Sequence, residues 1–148
     1  MSECVGVGFD IDHTLAIDNK LERVVFLHIL ETILDDGGRA LGNLTQESDR
    51  IDALLAQQRS GMFSIDDAVR NFARERGVPP RERYVEQFRR LAVDMVDEFV
   101  IPLPGVVRAF ACLRERGISM AVLSNGWNPL QVRKARRAGF EGPVLASG

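Results

Sequence analysis

Residues 5–12 (VGVGFDID) form an apolar run that ends in carboxylates, and they predict a short strand. Two further apolar runs, ISMAVL at 118–123 and PVLA at 143–146, predict two more. None alternates cleanly between apolar and polar positions, so all three are expected to be buried on both faces of a parallel sheet. Helical patterns separate them. Residues 105–116 start after Pro104 and stop at Gly117, with Val107, Phe110 and Ala111 assigned to one face. The last helix has Asn128 as expected N-cap, Pro129 at the first helical position and Gln131 at the third, and it closes on Gly139. Strands alternating with helices predict an α/β fold.

The stretch 19–99 reads differently, as helix throughout. Leu21 to Leu34 is apolar on most sides and stops at Asp35-Asp36-Gly37-Gly38. Thr45 is the expected cap of a helix carrying Ile51, Leu54 and Leu55. Ser64 caps another, in which Ile65, Ala68, Val69, Phe72 and Ala73 follow a helical period closely. Pro79 and Pro80 open a fourth, with Tyr84, Phe88, Leu91, Met95 and Phe99 on one stripe. The expected organisation is therefore a discontinuous α/β core, 1–18 and 100–148, interrupted by a helical insert, 19–99.

Composition narrows the class of protein. Nineteen basic residues against 21 acidic ones give a formal charge of −2, without the basic signature of a nucleic-acid binder. The uncharged run 118–132 contains Ser124, Asn125, Gly126, Asn128 and Pro129, which argues against a membrane span. Cys4 and Cys112 are too few and too scattered for a disulfide framework or a zinc site. With no signal-peptide pattern at the start, a soluble cytoplasmic protein is the expectation.

Chemistry concentrates at two strand ends. Asp10 and Asp12 are two apart on an extended chain, so their side chains point the same way. Like charges so placed need a cation between them or a shared proton, and hard carboxylate oxygens suit Mg²⁺. Open α/β sheets take ligands at the carboxyl ends of their strands, where this pair lies. The second end is Ser124-Asn125-Gly126, just before a helix N-terminus. A hydroxyl and free backbone N–H groups there suit a phosphate, and Gly126 permits close backbone approach.

Together these segments resemble the haloacid dehalogenase (HAD) superfamily. Its first motif, Asp-x-Asp-x-Thr after an apolar strand, is matched by Asp10, Asp12 and Thr14; its second, a strand ending in Ser or Thr, by Ser124. The resemblance covers nearly the whole chain. It implies a Rossmann-like three-layer core, here incomplete with about three parallel strands, and an inserted α-helical cap. It further implies a Mg²⁺-dependent phosphomonoester phosphatase acting on a small phosphorylated metabolite. Asp10 would be the nucleophile and Asp12 the general acid and base. Thr14, Ser124, Asn125 and Gly126 would hold the phosphate, and Asp10 with the backbone carbonyl of Asp12 would hold the metal.

The chain departs from the family pattern in its third and fourth motifs, a lysine and one or two acids after a further strand. Its two lysines are Lys20, at the start of the insert, and Lys134, inside the helix after Ser124. The expectation is that Lys134 lies more than one turn from the strand ends and that neither lysine serves. The first strand then becomes a sheet edge, and the chain reads as an N-terminal fragment whose missing half, or a second chain, completes the site. Weak or absent turnover is expected. The alternatives are a catalytically incompetent remnant or binding protein, and one half of a split enzyme. His13 is expected at the rim of the site, His28 packed in the insert, and Arg133 to Arg137 as a solvated face at a helix C-terminus. Trp127 either lines the site or packs. Gly6 and Gly8 do not extend to a dinucleotide-binding motif.

Overall fold

A computed structural model describes residues 6–146. Cys4, and Val5 at the head of the first expected strand, lie outside the described residues. In chain order the elements are β1 (Gly6–Phe9), β2 (Ala16–Ile17), α1 (Leu21–Asp35), α2 (Leu44–Arg59), α3 (Ile65–Glu75), α4 (Glu82–Asp94) and α5 (Val96–Phe99). They continue with β3 (Ile101–Pro102), α6 (Val106–Glu115), β4 (Ser119–Ser124), α7 (Leu130–Arg137) and β5 (Val144–Ala146). The chain divides into two compact units, one of Met1–Asn19 with Met95–Gly148 and one of Lys20–Asp94.

The first unit is α/β. Its sheet is parallel with strand order β1-β4-β5, so β1 lies at an edge. The steps from β1 to β4 and from β4 to β5 run in the same direction across the sheet. Right-handed crossovers therefore place α6 and α7 on the same face. That face is packed: Val122 is buried, the Phe9 and Phe110 rings meet edge to face at 5.5 Å, and Phe110 meets Phe140 at 5.4 Å. The opposite face carries Gly8, Ala121, Leu123 and Leu145. Leu123 is 53% exposed and Leu145 62%, so the strands are not buried on both faces among the described residues. Apolar character on the second face suggests burial, but the crossover helices α6 and α7 lie on the first.

A short antiparallel pair, β2 with β3, joins Ala16 to Pro102 and Ile17 to Ile101 in this unit. In α6 the inward face is Val106 and Phe110 rather than Val107 and Ala111; Val107 is largely exposed. Helix α7 begins at Leu130, with Pro129 in the cap position and no side-chain cap bond. Asn128 and Gln131 thus form no capping box; the Gln131 amide is buried and has another partner, described below.

The second unit contains four helices, α1 to α4. Its core is built from Val25, Phe26, Ile29 and Ile33 of α1, Val69, Phe72 and Ala73 of α3, and Tyr84, Phe88 and Ala92 of α4. The Phe26 ring lies 5.0 Å from Phe72 and 4.7 Å from Phe88. Ser64 caps α3 as the sequence predicts, accepting from the Asp67 N–H at 3.1 Å. The α2 cap is Asn43 instead of Thr45. Asn43 and Gln46 exchange side-chain and backbone bonds at 2.9 Å each, satisfying two amide donors that Thr45 cannot reach from inside the first turn. The expected long stripe ending at Phe99 is interrupted, since α4 stops at Asp94 and α5 starts at Val96.

Asp36, just past the end of α1, accepts a bond from the Tyr84 hydroxyl at 2.5 Å and pairs with Arg83, with Arg81 at 3.6 Å. The Arg83 bond, then the Tyr84 bond, hold its carboxyl below the usual carboxylate range. A depressed native pKa means that this stabilisation is complete above the unfolded value, about 3.9, and is lost as pH falls through the native one. Thermal melts of wild type and Asp36→Asn should differ by a constant interval from neutrality down to about pH 5, and the interval should shrink below about pH 4. An interval that persists unchanged into acid would contradict the pairing.

Candidate active site

Parallel register places Phe9 opposite Val122, so β1 and β4 end side by side and deliver Asp10 and Ser124 to the carboxyl end of the sheet. An open cleft of about 660 Å³ lies there, lined by Asp10, Leu123, Ser124, Asn125, Leu145 and Ala146. The Asp10 carboxylate is exposed and accepts a bond from the Ile11 N–H at 2.9 Å, which orients it at the strand end.

Beyond Asp10 the chain turns tightly. Ile11 is fully buried, and its carbonyl accepts from the N–H groups of Thr14 at 3.2 Å, Leu15 at 2.9 Å and Ala16 at 3.2 Å. His13 completes the turn in the left-handed region (φ 63°), donating its N–H to the Ala16 carbonyl at 2.9 Å. One buried apolar anchor therefore fixes the loop that carries Asp12 and Thr14. Thr14 and His13 are exposed on it, and Asp12 is half-buried. Asp12, Thr14 and Gly126 do not line the cleft.

Lys134 departs from its expected place. Its side chain is 1% exposed, and its Nζ reaches Asp12 Oδ1 at 3.1 Å and Asp18 Oδ2 at 3.4 Å. The lysine expected to be remote from the strand ends thus contacts the second aspartate of the first motif. A buried ammonium is costly unless paired, and two carboxylates supply the pairing. Lys134 and Asp18 were absent from the expected site. The signal was present in the helical period: Leu130, Gln131, Lys134 and Ala135 form the inward stripe of α7, with Lys134 in its middle.

The rest of the basic cluster is also more engaged than a solvated face would be. Arg133 pairs with Asp97, and Arg136 Nη1 donates to the carbonyls of Phe140 at 2.9 Å and Gly142 at 3.2 Å. Trp127 is buried and does not line the cleft. His28 is exposed, with Glu31 at 4.0 Å, rather than packed. Ser124 is buried, and its Oγ accepts from Gln131 Nε2. The group pressed against Gly126 is the Gln131 side chain: a Cβ there would stand 2.6 Å from Gln131 Cδ.

The donor set bears on the metal question. Among the described residues no cluster of three or more His, Cys, Asp or Glu stands ready for an ion. Mg²⁺ does not require one, since it keeps several waters and is commonly held by one or two carboxylates together with substrate oxygens. Asp10, exposed in the cleft, fits that role. Asp12 is less free to use its carboxylate, because Lys134 engages Oδ1. No helix among the described residues is long and apolar enough to cross a membrane.

Known structures share this architecture. A β-phosphoglucomutase from Thermotoga maritima matches with a TM-score of 0.62 at 15% identity, over 95% of this chain and 61% of that one. The HAD-hydrolase YfnB from Bacillus subtilis, bound to magnesium, matches with 0.58 at 16%, over 99% and 64%. CbbY from Rhodobacter sphaeroides, in complex with phosphate, matches with 0.63 at 17%, over 98% and 64%. The chain thus spans less than two thirds of the length of these structures. No curated protein matches the sequence. The haloacid dehalogenase-like hydrolase family model matches residues 7–147, and with the α/β sheet and its paired strand-end motifs the chain belongs to that family.

Proposed function

We propose that the chain is a cytoplasmic, Mg²⁺-dependent phosphomonoester hydrolase of the HAD family, acting on a small phosphorylated metabolite through an aspartyl-phosphate. The observation that carries this reading is the cleft shared by Asp10 and Ser124 at the carboxyl ends of adjacent strands. The phosphate complex of CbbY and the magnesium bound to YfnB support the class of ligand and metal. An exposed, unpaired Cys112 suits a reducing compartment.

In this reading an Asp10 oxygen attacks phosphorus as the bond from phosphorus to the leaving oxygen breaks. The leaving oxygen takes a proton from Asp12. Water then attacks the aspartyl-phosphate, returning its proton to Asp12 and releasing phosphate and the Asp10 carboxylate. Ser124 and Asn125, which line the cleft, would hold the phosphoryl oxygens, Thr14 and Gly126 would reach them from the adjoining loops, and Lys134 would fix Asp12 on its loop. The Asp10 carboxylate and the Asp12 backbone carbonyl would hold Mg²⁺, which when bound supplies neutralisation of phosphoryl charge. The helical unit Lys20–Asp94 would serve as the cap that selects substrate.

One observation favours a second reading, in which a further segment or a second chain completes the site. The sheet face beside the cleft carries exposed Leu123 and Leu145. The chain alone is accordingly expected to turn over p-nitrophenyl phosphate slowly. Chelation with EDTA should remove that turnover and excess Mg²⁺ should restore it, measured by release of p-nitrophenolate. Turnover indifferent to EDTA would contradict the metal assignment.

A further inference from the structure

Gln131 is a polar side chain that the phosphatase reading leaves without a task. It lies in the first turn of α7, 2% exposed, and donates through Nε2 to Ser124 Oγ. Burying an amide is unfavourable unless its bonds are made, and an apolar residue would pack in the same turn without that demand. The approach is close, so that a side chain at position 126 would displace the end of the Gln131 side chain from its place against Ser124. A Cβ there would lie 2.6 Å from Gln131 Cδ, 2.7 Å from Nε2 and 2.8 Å from Cγ. Gly126 therefore makes room for the Gln131 amide, and Ser124, Gly126 and Gln131 interlock.

The polarity of the bond matters. A serine hydroxyl has one hydrogen to donate and two acceptor positions. With the Gln131 N–H in an acceptor position, the Ser124 hydrogen is directed to another acceptor, and Ser124 lines the cleft that holds Asp10. We propose that Gln131 is a positioning residue that sets the Ser124 hydroxyl as a donor toward a phosphoryl oxygen. The inference rests on the phosphatase reading and extends it to a specificity device: the site favours a phosphoryl group that turns an ionised, accepting oxygen to Ser124 over one that presents a P–OH hydrogen there.

The test compares inorganic phosphate binding by the full chain with Mg²⁺, using calorimetry on wild type, Gln131→Met, Gln131→Glu and Ser124→Ala. Methionine keeps the length and removes the donor. Glutamate keeps the shape and, when ionised, can only accept, so it draws the Ser124 hydrogen away from the ligand. Binding should weaken about 3- to 10-fold in Gln131→Met, as for loss of one oriented hydrogen bond. It should weaken further in Gln131→Glu at neutral pH, with partial recovery toward Gln131→Met as the glutamate is protonated in acid. In a Ser124→Ala background the Gln131→Met penalty should vanish, because the two residues act as one unit. Wild-type affinity in both Gln131 variants, alongside weakened Ser124→Ala, would overturn the role of Gln131 and leave the phosphate seat intact. Absence of phosphate binding in wild type, or unimpaired binding in Ser124→Ala, would overturn the phosphatase reading and this inference with it.

Discussion

Asp10→Asn is expected to reduce phosphomonoester turnover by roughly a thousandfold or more, because an amide cannot form the covalent intermediate. The change is isosteric and falls on an exposed side chain at a strand end, so stability should stay within about 0.5 kcal/mol of wild type. The Ile11 N–H that now bonds Asp10 Oδ1 can bond the amide oxygen equally well. Loss of rate with an unchanged melt is therefore the signature of a chemical role. Steady-state assay beside a thermal melt reads both quantities, and residual activity near that of wild type would remove Asp10 from the reaction.

The largest effect on stability is expected in the helical unit, at Arg76. Its guanidinium binds Glu47 through two bonds, at 2.8 and 2.9 Å, and donates a third to the Phe72 carbonyl at 3.0 Å. Both side chains are about 1% exposed, and the guanidinium lies 3.6 Å above the Phe72 ring. Removing one member of such a pair leaves a charge buried without compensation. Arg76→Ala should cost about 3–5 kcal/mol, a large share of the 5–15 kcal/mol typical of a folded domain. The double variant Arg76→Met with Glu47→Leu should recover most of the loss, since it replaces the ion pair by apolar packing. Urea unfolding of both variants measures the two costs. An Arg76→Ala midpoint equal to that of wild type would show that the pair contributes nothing.

The parts of this molecule that one sequence discloses are those set by local rules. Helix α3 was legible because Ile65, Ala68, Val69, Phe72 and Ala73 fall on a single stripe behind a serine cap. Ser124 was legible because an apolar run stops at a hydroxyl, and the parallel pairing that sets it beside Asp10 follows from the α/β pattern. Choices between neighbours were harder to read. Val106 or Val107 can each begin an apolar face, and Asn43 or Thr45 can each cap a helix; a shift of one residue decides the first and of two the second. Lys134 is hard to place for a different reason. Distance along a helix says little about reach when the side chain is long and lies on the inward stripe. Gln131 reads as a capping residue because local pattern cannot reveal that Ser124, seven residues earlier, is its hydrogen-bond partner. The bare sheet face was concealed too, since Leu123 and Leu145 look like core residues until both crossovers are known to lie on the other side.

The central claim is that Asp10 becomes phosphorylated. Incubating the chain with acetyl phosphate and Mg²⁺, quenching in acid and recording the intact mass tests it most directly. Wild type should yield a species heavier by one phosphoryl group, cleaved by hydroxylamine as an acyl phosphate must be, mapped to the peptide containing Asp10 and absent from Asp10→Asn. An unmodified wild-type chain, or a phosphoryl group retained in Asp10→Asn, would contradict it.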